Sequence, residues 1–117
     1  AANGAKAHVG LTVEAPIFKE FGEKYKAAHN SISDHNGIKG YTGVYLLKAA
    51  IDRVGKLDRA AVAKALHNTC YDVKKNPGIL MDVCWDAKGD LDRESFMIEV
   101  VNGKGVVTGT LPPLGKK

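Results

Sequence analysis

Histidines, carboxylates, thiols and hydroxyls do most of the chemistry in proteins, and this chain carries them scattered rather than assembled. Its histidines are His8, His29, His35 and His67, and no H-E-x-x-H, C-x-x-C or carboxylate at ligand spacing accompanies them. Solvated or hydrogen-bonded imidazoles are expected there, not a metal centre. Asp86, Asp90, Asp92 and Glu94 suggest a calcium loop at first sight. An EF-hand counted from Asp86 needs an acid or amide third, glycine sixth and glutamate twelfth, where this chain has Lys88, Leu91 and Met97. A plain turn is the better reading. Ser31, Ser33 and Ser95 lie in no G-x-S-x-G elbow, and nothing local marks Cys70 or Cys84 as an activated thiol. No enzyme and no cofactor are expected.

The segment Asp34–Tyr41 is more informative. Gly37-Ile38-Lys39-Gly40 shares only two glycines and a lysine with a phosphate loop, which needs G-x-x-x-x-G-K-[ST] after a strand. The stretch is nonetheless polar, rich in small residues, and leads into a helix expected to start near Tyr41. Free amides at that N-terminus, with Lys39 nearby, suit an anion such as a carboxylate. The candidates are His35, Asn36, Gly37, Lys39 and Tyr41. From spacing alone, a wet loop with an ordinary cap is the favoured reading.

The elements that must position this segment follow from periodicity. His8–Val13 reads as a short strand. From Pro16, a favourable first helical residue, Ile17, Phe18, Phe21, Tyr25 and Ala28 recur at helical spacing, ending near His29-Asn30. Ser31–Gly40 reads as a loop. The second helix carries Val44, Leu47, Ile51 and Val54 on one stripe, widened by Tyr41, Tyr45 and Ala49, with Gly55 as terminator. A third begins at the N-cap Asp58, Leu57 able to staple to Val62, with Val62, Ala65 and Leu66 facing inward and Asn68 ending it. Tyr71–Val73 and Ile79–Trp85 read as strands around an Asn76-Pro77-Gly78 turn, and Asp86–Asp90 as another turn. Phe96–Val101 and Gly105–Thr110 form a hairpin about Asn102-Gly103. Residues 111–117 read as an extended tail. The order β-α-α-α-β-β-β implies an α/β assembly, with three helices on a small, partly parallel sheet.

Composition narrows the classes. The 117 residues carry a net charge of +4, 26% charged and 44% apolar residues, as an ordinary globular domain does. The lysines do not gather: Lys19, Lys24 and Lys26 interleave with Glu20 and Glu23, while Lys74/Lys75 and Lys116/Lys117 are isolated pairs. With neither a basic stripe nor a groove-reading motif, no nucleic acid is expected as partner. No apolar stretch approaches the roughly 18–20 residues that span a bilayer. Ala1–Val9 has no signal-peptide pattern, so the chain is either cytoplasmic or begins after processing or truncation. Two cysteines are too few for a disulfide scaffold. They would be thiols in a reducing compartment and could close a short loop in an oxidising one.

The order of motifs resembles a known family. P-x-F-x-x-F-x-x-x-Y-K-A stands at Pro16–Ala27, G-Y-x-x-V-x-L-L-x-A-A-I at Gly40–Ile51, and D-x-x-x-V-A-x-A-L at Asp58–Leu66. G-x-x-x-x-x-x-W-D-x-x-G-D follows at Gly78–Asp90, before the hairpin. Together these resemble the C-terminal part of the type I periplasmic binding proteins that serve ABC importers of branched-chain amino acids and related carboxylates.

The resemblance implies an incomplete lobe of a clamshell (Venus-flytrap) fold that closes on a small carboxylate and delivers it to a membrane permease. Residues 1–117 would be a single α/β fragment, roughly the last third of such a protein. The earlier Ser/Thr-bearing segments that hold the ligand carboxylate in the family have no match here. The Asp34–Tyr41 segment coincides with one that borders the ligand in the family. A sensor or interaction module reusing the same fold without transport is the alternative. The implied address is periplasmic and oxidising, making a Cys70–Cys84 disulfide a candidate, although sequence does not give the Cα separation that decides it. A truncated lobe leaves apolar faces uncovered, so self-association is expected.

Overall fold

The computed structural model describes residues 2–115, so positions 116 and 117 of the expected tail, with the Lys116/Lys117 pair, lie outside the described residues. The chain forms two compact units, one of residues up to Ile38 with Glu94–Pro113, the other of Lys39–Arg93 with the residues from Leu114.

The first unit is built on an antiparallel sheet of β1 (Lys6–Val9), β5 (Ser95–Val101) and β6 (Lys104–Leu111), in the order β1-β5-β6. The first strand lies nearer the N-terminus than the expected His8–Val13, since its register ends where Val9 meets Phe96. β5 and β6 are joined by Asn102-Gly103, both in the left-handed region (φ 50° and 75°), the type I′ geometry that the right-handed twist of a hairpin favours. Gly105, Val107 and Gly109 are half-buried and alternate with exposed neighbours along β6, across the register shift between Met97 and Ile98. A 3-10 turn at Pro16–Phe18 leads into α1 (Lys19–His29), which Asn30 closes in the left-handed conformation, its amide donating to the Lys26 carbonyl at 2.8 Å. Phe18 meets Phe96 edge-on at 6.2 Å between centroids, and Leu11, Ala15 and Phe21 are buried with them.

The second unit holds most of α2 (His35–Val54), α3 (Arg59–Leu66) and a sheet of β2 (Thr69–Tyr71), β3 (Val83–Trp85) and β4 (Leu91–Asp92), also antiparallel. The expected parallel component is absent from both sheets. Asp58 caps α3 by accepting the Ala61 amide at 3.0 Å, and Gly55 (φ 75°) closes α2 by donating to the Ile51 carbonyl at 2.8 Å. Leu57 does not staple: it is 88% exposed.

The core of this unit is Leu46, Ala50, Val62, Tyr71, Ile79 and Val83. The buried row of α2 therefore runs through Thr42, Leu46 and Ala50, while Val44 (68% exposed) and Leu47 (50%) face water. Of the expected stripe, Ala49, Ile51 and Val54 do pack against this core, but its centre is rotated toward Leu46 and Ala50, because α2 is apolar on several sides and the packing surface chooses among them. The expected strand over Ile79–Trp85 is confined to its last three residues. Leu80 takes φ 64°, and the Met81 amide bonds the Ile79 carbonyl at 2.8 Å across it, a tight turn that no strand continues through. Cys70 and Cys84 stand directly opposite in the β2–β3 register and are joined as a disulfide, their Cα atoms 4.1 Å apart.

Candidate functional site

The segment Asp34–Tyr41 is helix rather than loop, since α2 begins at His35. Asp34 is the reason. Its Oδ1 accepts the backbone amides of Asn36 (2.9 Å) and Gly37 (3.0 Å), while Oδ2 accepts from the Asn36 side-chain amide at 3.2 Å. These amides hold the Asp34 carboxyl below its ordinary range, the Gly37 N–H being the largest cause. The expectation of free N-terminal amides waiting for an external anion is thereby corrected. The helix has an anion already, and it is the chain's own.

The nominated side chains separate on this helix. His35 and Lys39 are one turn apart at i, i+4, with Asn36 beside them, and all three are exposed. Tyr41 falls on a different side and stacks against Tyr45, ring centroids 5.0 Å apart. Gly37 serves packing: a Cβ there would collide with the Ser33 hydroxyl and touch the Phe21 ring at 3.9 Å. The exposed candidates are thus one cation, one imidazole and one carboxamide, groups whose chemistry suits anions and polar partners and which include no nucleophile–base pair. Among the described residues no group of three or more His, Cys, Asp or Glu is placed to hold a metal ion.

Sequence reasoning overlooked a second polar cluster. Arg53, on the last turn of α2, lays its guanidinium 4.4 Å from the centre of the Tyr71 ring and donates to Thr69 Oγ1 at 2.6 Å and the Cys70 carbonyl at 3.4 Å. The pairing spans 16 residues, and no local pattern announces it. The cluster ties α2 to β2 and is structural.

No family model and no curated protein sequence matches the chain. Solved structures do, and they define its fold as that of part of the type I solute-binding proteins of ABC transporters. A leucine-binding protein from Thermotoga maritima superposes with a TM-score of 0.74 at 23% identity, over 96% of this chain and 32% of its own. A solute-binding protein from Rhodopseudomonas palustris in complex with benzoate gives 0.75 at 18% identity, over 99% and 32%. A leucine-, isoleucine-, valine-, threonine- and alanine-binding protein from Brucella ovis, in its closed conformation, gives 0.72 at 16%, over 95% and 32%. The chain spans about a third of the length of these structures.

Proposed function

We propose that this chain is the C-terminal portion of a two-lobed, periplasmic solute-binding protein. It would capture a small carboxylate, an amino acid or an aromatic acid, for an ABC importer and present it to that importer's membrane permease. The observation that carries this reading is the superposition of nearly the whole chain on such proteins, with TM-scores of 0.72 to 0.75 for receptors of amino acids and of benzoate. The Cys70–Cys84 disulfide supports it, since such bonds persist in oxidising compartments.

Within this reading, the ligand meets α2 through side chains rather than through helix amides, which Asp34 occupies. Lys39 supplies the charge for the carboxylate, and Asn36 and His35 supply hydrogen bonds. Calorimetry on the intact receptor, with its native ligand first identified by mass spectrometry, tests the proposal. Lys39→Ala and Asn36→Ala are each expected to weaken binding about ten- to a hundredfold, as loss of a charge-assisted hydrogen bond does. Unchanged affinity in both variants removes this helix end from the site. A native ligand without a carboxylate overturns the proposed substrate class.

A further inference from the structure

We infer that the Cys70–Cys84 bond is an exchangeable disulfide, with Cys70 the sulfur that an external thiolate attacks and Cys84 the leaving group. Three residues stand in a row across one face of the second unit's sheet. Cys70 on β2 is opposite Cys84 on β3, and Cys84 is opposite Asp92 on β4. Directly opposed residues project from the same face, here the one turned away from the core residues Tyr71 and Val83. The sulfur bridge therefore runs across the strands, along that row.

An attacking thiolate comes in line with the bond it breaks, which leaves two approaches. Beyond Cys84 the line runs over β4 to the Asp92 carboxylate, which accepts the Leu114 amide at 2.8 Å. A thiolate on that side meets a like charge and the chain's own tail. Beyond Cys70 the line leaves the sheet, because β2 is its edge strand. Cys70 is exposed where Cys84 is half-buried. The charge there is also opposite. Arg53, besides tying α2 to β2, holds its guanidinium at this edge by donating to Thr69 Oγ1 at 2.6 Å and the Cys70 carbonyl at 3.4 Å. A fixed cation beside one sulfur and a carboxylate beside the other steer an anionic nucleophile to Cys70.

The thiol is the co-reactant, and the step balances with it. Its thiolate bonds to Cys70 Sγ, the Cys70–Cys84 bond breaks, and the electron pair leaves on Cys84, which takes a proton from water. A monothiol stops there, as a mixed disulfide on Cys70. In a dithiol, the second thiolate attacks the reductant's own sulfur, so that Cys70 leaves as a thiol and the reductant as an internal disulfide.

Exchange on the folded 117-residue chain tests this, with dithiothreitol and glutathione as probes. Without denaturant, the rate of reduction is expected to rise in proportion to dithiothreitol concentration. A plateau at the rate of global unfolding would mean that the bond opens only in the unfolded chain, and overturns the proposal. After brief glutathione treatment and alkylation of the freed thiol, peptide mass spectrometry should find glutathione on Cys70 at least about tenfold more often than on Cys84. Equal labelling, or an excess on Cys84, overturns it too. Arg53→Gln should lower the rate with anionic glutathione relative to cationic cysteamine by about threefold or more at low salt. An unchanged ratio overturns the charge argument by which Cys70 is selected.

Discussion

The ring of Tyr45 lies against the backbone of Gly78 so closely that a Cβ on Gly78 would sit 2.5 Å from the ring's Cδ1. Gly78 also has φ 111°, a conformation that side-chain-bearing residues rarely adopt. Gly78→Ala is therefore expected to destabilise by about 2–4 kcal/mol, combining backbone strain with overpacking. Tyr45→Ala should relieve the steric part. In a double-mutant cycle followed by urea unfolding, the pair should cost less than the sum of the singles.

The Cys70–Cys84 bond closes a loop across a sequence separation of 14. Cys70→Ser/Cys84→Ser is expected to cost about 3 kcal/mol, the chain-entropy value for a loop of this size. A thiol reductant should lower the melting temperature of the parent chain and leave that of the double variant unmoved. The two strands it joins pair over only three residues each, flanked by the Asn68 amide donating to the Asp86 carbonyl at 2.9 Å and the Val73 amide to Asp82 Oδ1 at 2.8 Å.

Tyr71 is buried and donates its hydroxyl to the Ala65 carbonyl near the C-terminus of α3 at 3.1 Å. Tyr71→Phe should cost about 1–2 kcal/mol, since it leaves that carbonyl short of its partner. Tyr71→Ala should cost about 3–5 kcal/mol, because it also empties the ring's volume and removes the surface that Arg53 covers. Chemical denaturation distinguishes the two costs.

Asp34 and Asp58 carry the pH dependence of the helix starts. Both carboxyls lie below the ordinary value of 3.8, each held chiefly by a backbone amide, that of Gly37 for Asp34 and that of Ala61 for Asp58. A carboxyl depressed in the folded state stabilises fully above its unfolded pKa. That contribution is lost as pH falls through the folded value. Helicity and melting temperature should thus be flat at neutral pH and decline below about pH 4. Asp34→Asn/Asp58→Asn, which keeps capping oxygens that do not titrate there, should flatten that decline. An acid limb of unchanged steepness in a circular-dichroism titration would sink the assignment.

These elements also show what a linear reading can reach. Asp58 with α3, Gly55 closing α2, and Asn102-Gly103 were legible because each works through neighbours within a few residues. The start of α2 was not. Asp34 is as good a cap as Asp58, but His35-Asn36-Gly37 looks like a turn, and Gly37 owes its place to Ser33 and Phe21. The buried row of α2 was hidden for a different reason. With Tyr41, Val44, Leu47 and Ile51 offering one face and Leu46 and Ala50 another, only tertiary packing chooses. At the candidate segment the free helix amides were misread, since an anion-binding helix end and a self-capped one differ by the side chain of a single aspartate.

The first unit is interrupted in sequence by the second: Lys6 on β1 pairs with Glu99 on β5, while residues 39–93 form a separate body. On a ribosome the N-terminal strand therefore emerges long before its partner. The intervening helices and β2–β4 are all synthesised before β5 appears. Closing a pairing of such long range is slow, and an unpaired strand edge is prone to association while it waits. Biosynthesis thus imposes an order in which most of the second unit is made before β5, although Leu114, whose amide donates to Asp92 Oδ1 at 2.8 Å, arrives last.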